Sequence, residues 1–266
     1  ANWSSKYPQT AHPLSGFRPS MDLITLAIIF AAVGAGAIAK GATGMGMPLI
    51  AIPFLAATFG LQHAVAVMLL PILTSNASQL YRFRHARADA RLGFLPPMLA
   101  LCAVGVVGGT WFLTATPERG LAATLGILLL SYLALRLLNP HFAVSGEAAR
   151  RWSMPVGLGT GLLHGATGIS APIGVTFIHA MRFGRDAHIY AVSAMFMVLA
   201  TVQAPSLWIA GILRPEWLLQ GLFALIPTFL FMPVGQWLSG KLSPAAFDRM
   251  TLIFLGVIGL KLLLGI

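Results

Sequence analysis

Charge is what this chain has least of. Charged residues make up 9% of its 266 residues, where a soluble domain carries about 25%. Only seven are acidic: Asp22, Asp89, Glu118, Glu147, Asp186, Glu216 and Asp248. Each falls in a loop or at the end of an apolar stretch. Cation pumps and proton-coupled carriers commonly keep carboxylates inside the bilayer, so their absence from the apolar runs disfavours a metal or a cationic cargo. Cysteine occurs once, as Cys102, which excludes an internal disulfide. No metal-ligand spacing, no Gly-x-Ser-x-Gly turn and no pair of intramembrane aspartates occurs, so enzymatic chemistry has no support. The chain reads as a non-enzyme with no metal and no cofactor.

Apolar residues fill the space that charge leaves, at 57% of the chain. Eight long apolar stretches can be drawn, most near the roughly 20 residues that cross a bilayer. They run over 22–59, 62–81, 92–113, 119–138, 153–182, 187–211, 216–238 and 245–265. The spacing predicts an all-α polytopic membrane helix bundle of 8–10 membrane segments. The net charge of +10 would suggest nucleic acid in a soluble protein. Here it is assigned to loops by the positive-inside rule, with membrane lipid and no nucleic acid as partner. Trp111, Trp152, Trp208, Trp217 and Trp237 fall near stretch ends, as an aromatic belt would place them.

Two stretches are broken, and in the same way. Lys40-Gly41-Ala42-Thr43-Gly44 returns as His164-Gly165-Ala166-Thr167-Gly168, and the register continues without a gap through Pro48/Pro172, Phe59-Gly60/Phe183-Gly184 and Gln79/Gln203. Matching breaks in a duplicated membrane chain are the best sequence pointer to a transporter binding site. Residues 21–138 read as one repeat and 153–266 as a second, with 139–152 as linker and 1–20 as an N-terminal extension or a non-native remnant. Whether each break joins two full crossings or a re-entrant hairpin, the chain returns to the face it left. The halves are then inverted, which keeps Arg182 and Arg185 on the cytoplasmic side with Arg82, Arg84, Arg87 and Arg91.

Irregular backbone inside lipid must be enclosed by protein or face a water-filled cavity. A helix that restarts after a break presents unpaired N–H groups and a partial positive charge. Two such starts facing each other near the midplane would hold an anion. The candidate binding residues are Thr43, Gly44, Met45 and Gly46 at the first break and Thr167, Gly168, Ile169 and Ser170 at the second. Lys40 and His164 stand in equivalent places before the breaks; Asn76, Gln79 and Gln203 are polar residues deep in the following stretches. Lys40 could also snorkel to an interface. The small-residue pairs Gly105/Gly109 and Gly157/Gly161 read as helix packing rather than site.

The Gly41–Gly46 break, Gly60, the polar run Thr74–Gln79 and the basic loop Arg82–Arg91, with Gly165–Gly168, Gly184 and Thr201–Gln203 in the second copy, resemble the sulfite exporter family TauE/SafE. The resemblance spans about residues 22–265. It implies an inner (plasma) membrane transporter exporting a small sulfur oxyanion, sulfite or an organosulfonate such as sulfoacetate. The fold reading adds alternating access between the halves. A passive anion channel and a membrane-embedded sensor or assembly subunit are the other classes consistent with the sequence.

Overall fold

A computed structural model describes residues 21–138, 144–239 and 244–265, without the side chains of 244–248 and 250. The proposed extension at 1–20 and part of the proposed linker therefore lie outside the described residues. Among the described residues every regular element is helical.

Helix α1 (Leu23–Thr43) starts where the Asp22 carboxylate accepts the Thr25 N–H at 2.7 Å, an N-cap that satisfies one of the free donors of the first turn. It stops where Gly44 takes φ 79°, the left-handed conformation glycine supplies at helix ends. Helix α2 (Met47–Phe59) begins after Gly46 with Pro48 in its first turn, where the missing N–H costs nothing. Gly36 lies against Met47 and Ala51, and Gly46 against Ala39, so α2 folds back antiparallel on α1. The 21 residues of α1 span about 31 Å and the 13 of α2 about 20 Å. The first break thus joins a full-length helix to a shorter returning one.

Helix α3 (Leu61–Arg82) follows Gly60, and Glu118 from the start of α5 accepts the Leu61 N–H at 2.8 Å. Two short 3-10 turns, Arg84–Ala88 and Ala90–Phe94, lead into α4 (Leu95–Ala115) and then α5 (Glu118–Leu138). Helix α6 (Gly146–Thr167) is capped by the Ser145 hydroxyl and ends at Gly168, φ 72°. It begins about two turns before the expected start at 153, because its first turns carry Glu147, Arg150 and Arg151, which hydropathy counts against a span. A π-helical turn, Ala171–Val175, runs into α7 (Thr176–Ala180), followed by α8 (Arg185–Ile209). The stretch expected over 216–238 is two helices, α9 (Pro215–Phe223) and α10 (Leu225–Leu238). Pro227 has no N–H for the Phe223 carbonyl, and the helix is interrupted there. Helix α11 (Pro244–Leu264) closes the chain.

Six of these segments are long and apolar enough to cross a membrane, and three shorter apolar helices accompany them. The protein is a polytopic membrane helix bundle. Glycines bring its helices together. A Cβ on Gly105 or Gly109 would overlap the backbone of α6, and one on Gly157, Gly161 or Gly165 the backbone of α4. Met98, Cys102 and Val106 meet Gly157, Gly161 and Gly165 in that order, so α4 and α6 run parallel. The packing role expected of Gly105/Gly109 and Gly157/Gly161 is what these contacts show. Gly41 of α1 and Gly235 of α10 make the corresponding contact, each against the other helix's backbone. Between α5 and α11, Gly126 meets Gly259 and Leu263 while Leu133 meets Gly256, an antiparallel pair. Trp111, Trp152, Trp208 and Trp237 are exposed on the outside of the bundle. Trp217 is instead buried, its ring 5.2 Å from that of His63.

The basic loops gather at one end. His85 and Asp186 are 2.9 Å apart, the Arg91 guanidinium lies 5.3 Å over the Phe183 ring, and Arg82 donates to Gln236 at 2.8 Å. Hydrogen bonds from the Arg91 side chain, then from its backbone N–H, hold the Asp89 carboxyl below its usual range.

Candidate functional site: a buried lysine between two elbows

Each Gly-Ala-Thr-Gly elbow is built from its own threonine. Thr43 Oγ1 is 2.6 Å from the Met45 carbonyl and 2.9 Å from that of Ala39, and it accepts the Met45 N–H at 3.3 Å. Thr167 Oγ1 repeats this with the Leu163 and Ile169 carbonyls at 2.7 and 3.3 Å and the Ile169 N–H at 3.2 Å. The hydroxyls hold the turns shut.

The elbows do not face each other at one level, as the sequence had led us to expect. Gly44 packs on Ile189, one turn into α8, and Gly168 packs on Val65, one turn into α3. The duplication equates Gly44 with Gly168 and Val65 with Ile189, so these contacts are reciprocal. The end of α3 lies beside the start of α8, where Gln79 Oε1 accepts the Ser193 hydroxyl at 2.9 Å. Val65 and Ile189 are therefore at opposite ends of the α3–α8 pair, and so are the elbows. The cause is length: α1 and α6, of 21 and 22 residues, run about 31–33 Å before they break, the full hydrocarbon depth rather than half of it.

What meets between the elbows is the residue one turn before each. Phe196, near the midpoint of α8, has the Lys40 ammonium 5.9 Å from its ring centroid and the His164 ring 5.9 Å away, edge-on. Lys40 is 1% exposed; it does not snorkel. Its ammonium donates to Asn76 Oδ1 at 2.6 Å, and Asn76 donates in turn to the Ile72 carbonyl at 2.7 Å. An ammonium has three protons to donate, and this is the one hydrogen bond made by Lys40 Nζ among the described residues. The second elbow holds further unpartnered polar atoms. Among the described residues, both ring nitrogens of His164 and the hydroxyls of Ser170, Thr160 and Thr110 are buried without a hydrogen bond. Gln203 Nε2 donates to the carbonyls of His164 and Gly165 at 3.3 and 3.4 Å.

No described carboxylate answers the lysine. The described acidic side chains cap helices or sit in their first turns and in the 82–94 loop, where the helix dipole favours them. A cavity of about 330 Å³ opens against the first elbow, lined by Gly41, Gly44, Gln79, Arg82, Arg185 and Asp186 among others, including Ser78. Thr43, Met45 and Gly46 line a second, larger cavity on the other side of the elbow. Lys40 and Asn76 lie behind the first elbow in the interior. Thr167, Gly168, Ile169, Ser170, His164 and Gln203 are all buried and line neither cavity.

Sequence reasoning passed over Phe196, which looks like any aromatic in an apolar run, and read Arg82 and Arg185 only as orienting charges. Gln236 is one of two amides, with Gln220, in the apolar stretch 216–238.

The described residues form a helical membrane bundle with broken helices, a buried lysine that no described carboxylate pairs with, and a cavity beside it lined by Arg82, Arg185 and Asp186. The family model "Sulfite exporter TauE/SafE" matches residues 28–262, and the chain belongs to that family. The family is one of membrane transporters of sulfite and sulfur anions, not of enzymes. No curated protein and no solved structure matches the chain.

Proposed function

We propose that the protein exports sulfite or a small organosulfonate across the inner membrane, and that the transported anion serves as the counter-charge of Lys40. The observation that carries this is the 1%-exposed ammonium with Asn76 as its sole hydrogen-bond partner among the described residues. An unpaired buried charge is costly, and an intramembrane ionisable group is a functional candidate by default. The cavity lined by Arg82 and Arg185 is the approach from the cytoplasm, given the positive-inside rule. The roles proposed for Gly44 and Gln79 are as lining of that approach, and for Asn76 and His164 as polar neighbours of the anion.

Alternating access between inverted repeats, 21–138 and 153–266 joined by 139–152, completes the reading. The antiparallel α5–α11 pair, the reciprocal Gly44–Ile189 and Gly168–Val65 contacts, and the shared end of the 82–94 and 182–186 loops support inversion. The asymmetry supports alternation: the first elbow lines cavities, whereas His164, Thr167, Gly168, Ile169 and Ser170 at the second are buried. The unpartnered Ser170 and His164 would find partners when the second elbow opens.

Purified protein in sulfite-loaded vesicles tests the reading. Saturable sulfite efflux without channel-sized current is expected. Absence of sulfite and sulfonate flux would reject the transport reading, and large unitary currents would reject the carrier in favour of a pore.

A further inference from the structure

The larger cavity is not needed by a sulfite-sized anion. Its volume is about 850 Å³, within the range that encloses a drug-sized ligand. Its charged lining is cationic: Arg136, Arg182 and Arg185 contribute to it beside neutral polar residues such as Tyr132, Thr176 and Ser239, and no described Asp or Glu does. The rest is largely apolar, with Leu49 and Ile50 of α2 and Leu252 of α11 among the walls. The arginines sit at helix ends. Arg136 is in the last turn of α5 and Arg182 lies between α7 and α8, while Ser239 at the same cavity follows α10. The ends of membrane-crossing helices lie at the level of lipid headgroups, and Leu49, Ile50 and Leu252 add an apolar wall beside them. Arg182 is also the one described non-glycine residue at positive φ, 51°, a conformation that costs an L-residue energy.

We propose that this cavity binds an acidic phospholipid, its phosphate against Arg136 and Arg182 and an acyl chain along Leu49, Ile50 and Leu252. Charged headgroup and chain are both required: basic pockets between membrane helices take acidic headgroups, and the apolar wall takes the hydrocarbon. The cavity shares Arg185 and the first elbow with the proposed transport route but is not lined by Lys40 or Asn76, and the proposal stands whether or not the cargo is sulfite.

The test uses the full chain in neutral detergent, titrated with phosphatidylglycerol, with phosphatidylcholine of the same acyl chains, or with glycerol 3-phosphate, and read by thermal unfolding. Phosphatidylglycerol alone should raise Tm. Arg182→Asn, which tolerates the positive φ, and Arg136→Gln should each weaken the apparent affinity about fivefold, as loss of one interfacial cation does. The two substitutions read the same quantity independently, so failure of one to fold leaves the other. An equal rise with phosphatidylcholine, an equal rise with glycerol 3-phosphate, or a phosphatidylglycerol effect undiminished by substitution would overturn the proposal.

Discussion

The Lys40 ammonium of α1 donates to Asn76 Oδ1 of α3 at 2.6 Å, and Asn76 spends its own amide on the Ile72 carbonyl one turn back. The asparagine is thus oriented, and it presents a dipole rather than a charge to the cation. A carboxylate at position 76 would have neutralised Lys40 permanently. An amide steadies the ammonium and leaves its charge for a ligand.

Removing the amide should therefore destabilise the fold. Asn76→Leu leaves the ammonium without a hydrogen bond, and hydrogen bonds to charged groups are worth about 1.5–3 kcal/mol. Adding Lys40→Met should recover most of that loss, because a well-packed apolar pair replaces a buried ionic one at little cost. Thermal unfolding of the two single variants and the double variant measures the coupling. Additive losses would show that the two residues do not interact.

The glycine contacts give a steric prediction. Gly41→Val and Gly165→Val drive a side chain into the backbone of α10 and α4 respectively, and each should cost at least about 1–3 kcal/mol. Gly93→Ala has open space and should change stability by no more than about 0.5 kcal/mol. Unfolding midpoints in detergent check all three.

The threonines should prove structural. Thr167→Val removes a buried hydroxyl bound to the Leu163 carbonyl and should cost about 1 kcal/mol. Thr43 is exposed to a cavity, so Thr43→Val should cost less. Flux per folded molecule should survive both substitutions, and a selective loss of flux in either would return that hydroxyl to the anion site.

Thiol labelling reads which elbow is open. The native Cys102 is fully buried and provides a silent background. Ser78→Cys lines the approach to the first elbow and should react with a membrane-impermeant maleimide from the side of Arg82 and Arg185. Ser170→Cys is buried behind the second elbow and should react far more slowly. Equal labelling at the two positions would contradict the buried second elbow.

Much of this fold is legible in the sequence because its signals are local. Gly44 and Gly168 stop helices through their backbone conformation, Pro48 and Pro172 restart them, and long runs without charge mark the spans. Pro227 carried an equally local signal for the α9–α10 interruption. The start of α6 is less legible, since Arg150 and Arg151 lie on helix that extends beyond the apolar run. The level of the elbows follows from the lengths of α1 and α6, which depend on the capping residues Asp22 and Ser145. The site is the least legible part. Lys40 and Asn76 were separately visible as polar residues in apolar runs, but their pairing across 36 positions, and the placement of Phe196 between Lys40 and His164, arise from packing alone.

The most direct measurement is sulfite binding and efflux by Lys40→Met beside the wild type, each in the same vesicles and each shown to be folded. If the transported anion is the partner of the Lys40 ammonium, loss of that charge-assisted contact weakens sulfite binding about 10- to 100-fold and efflux falls with it. Undiminished sulfite binding and efflux by folded Lys40→Met would contradict the account.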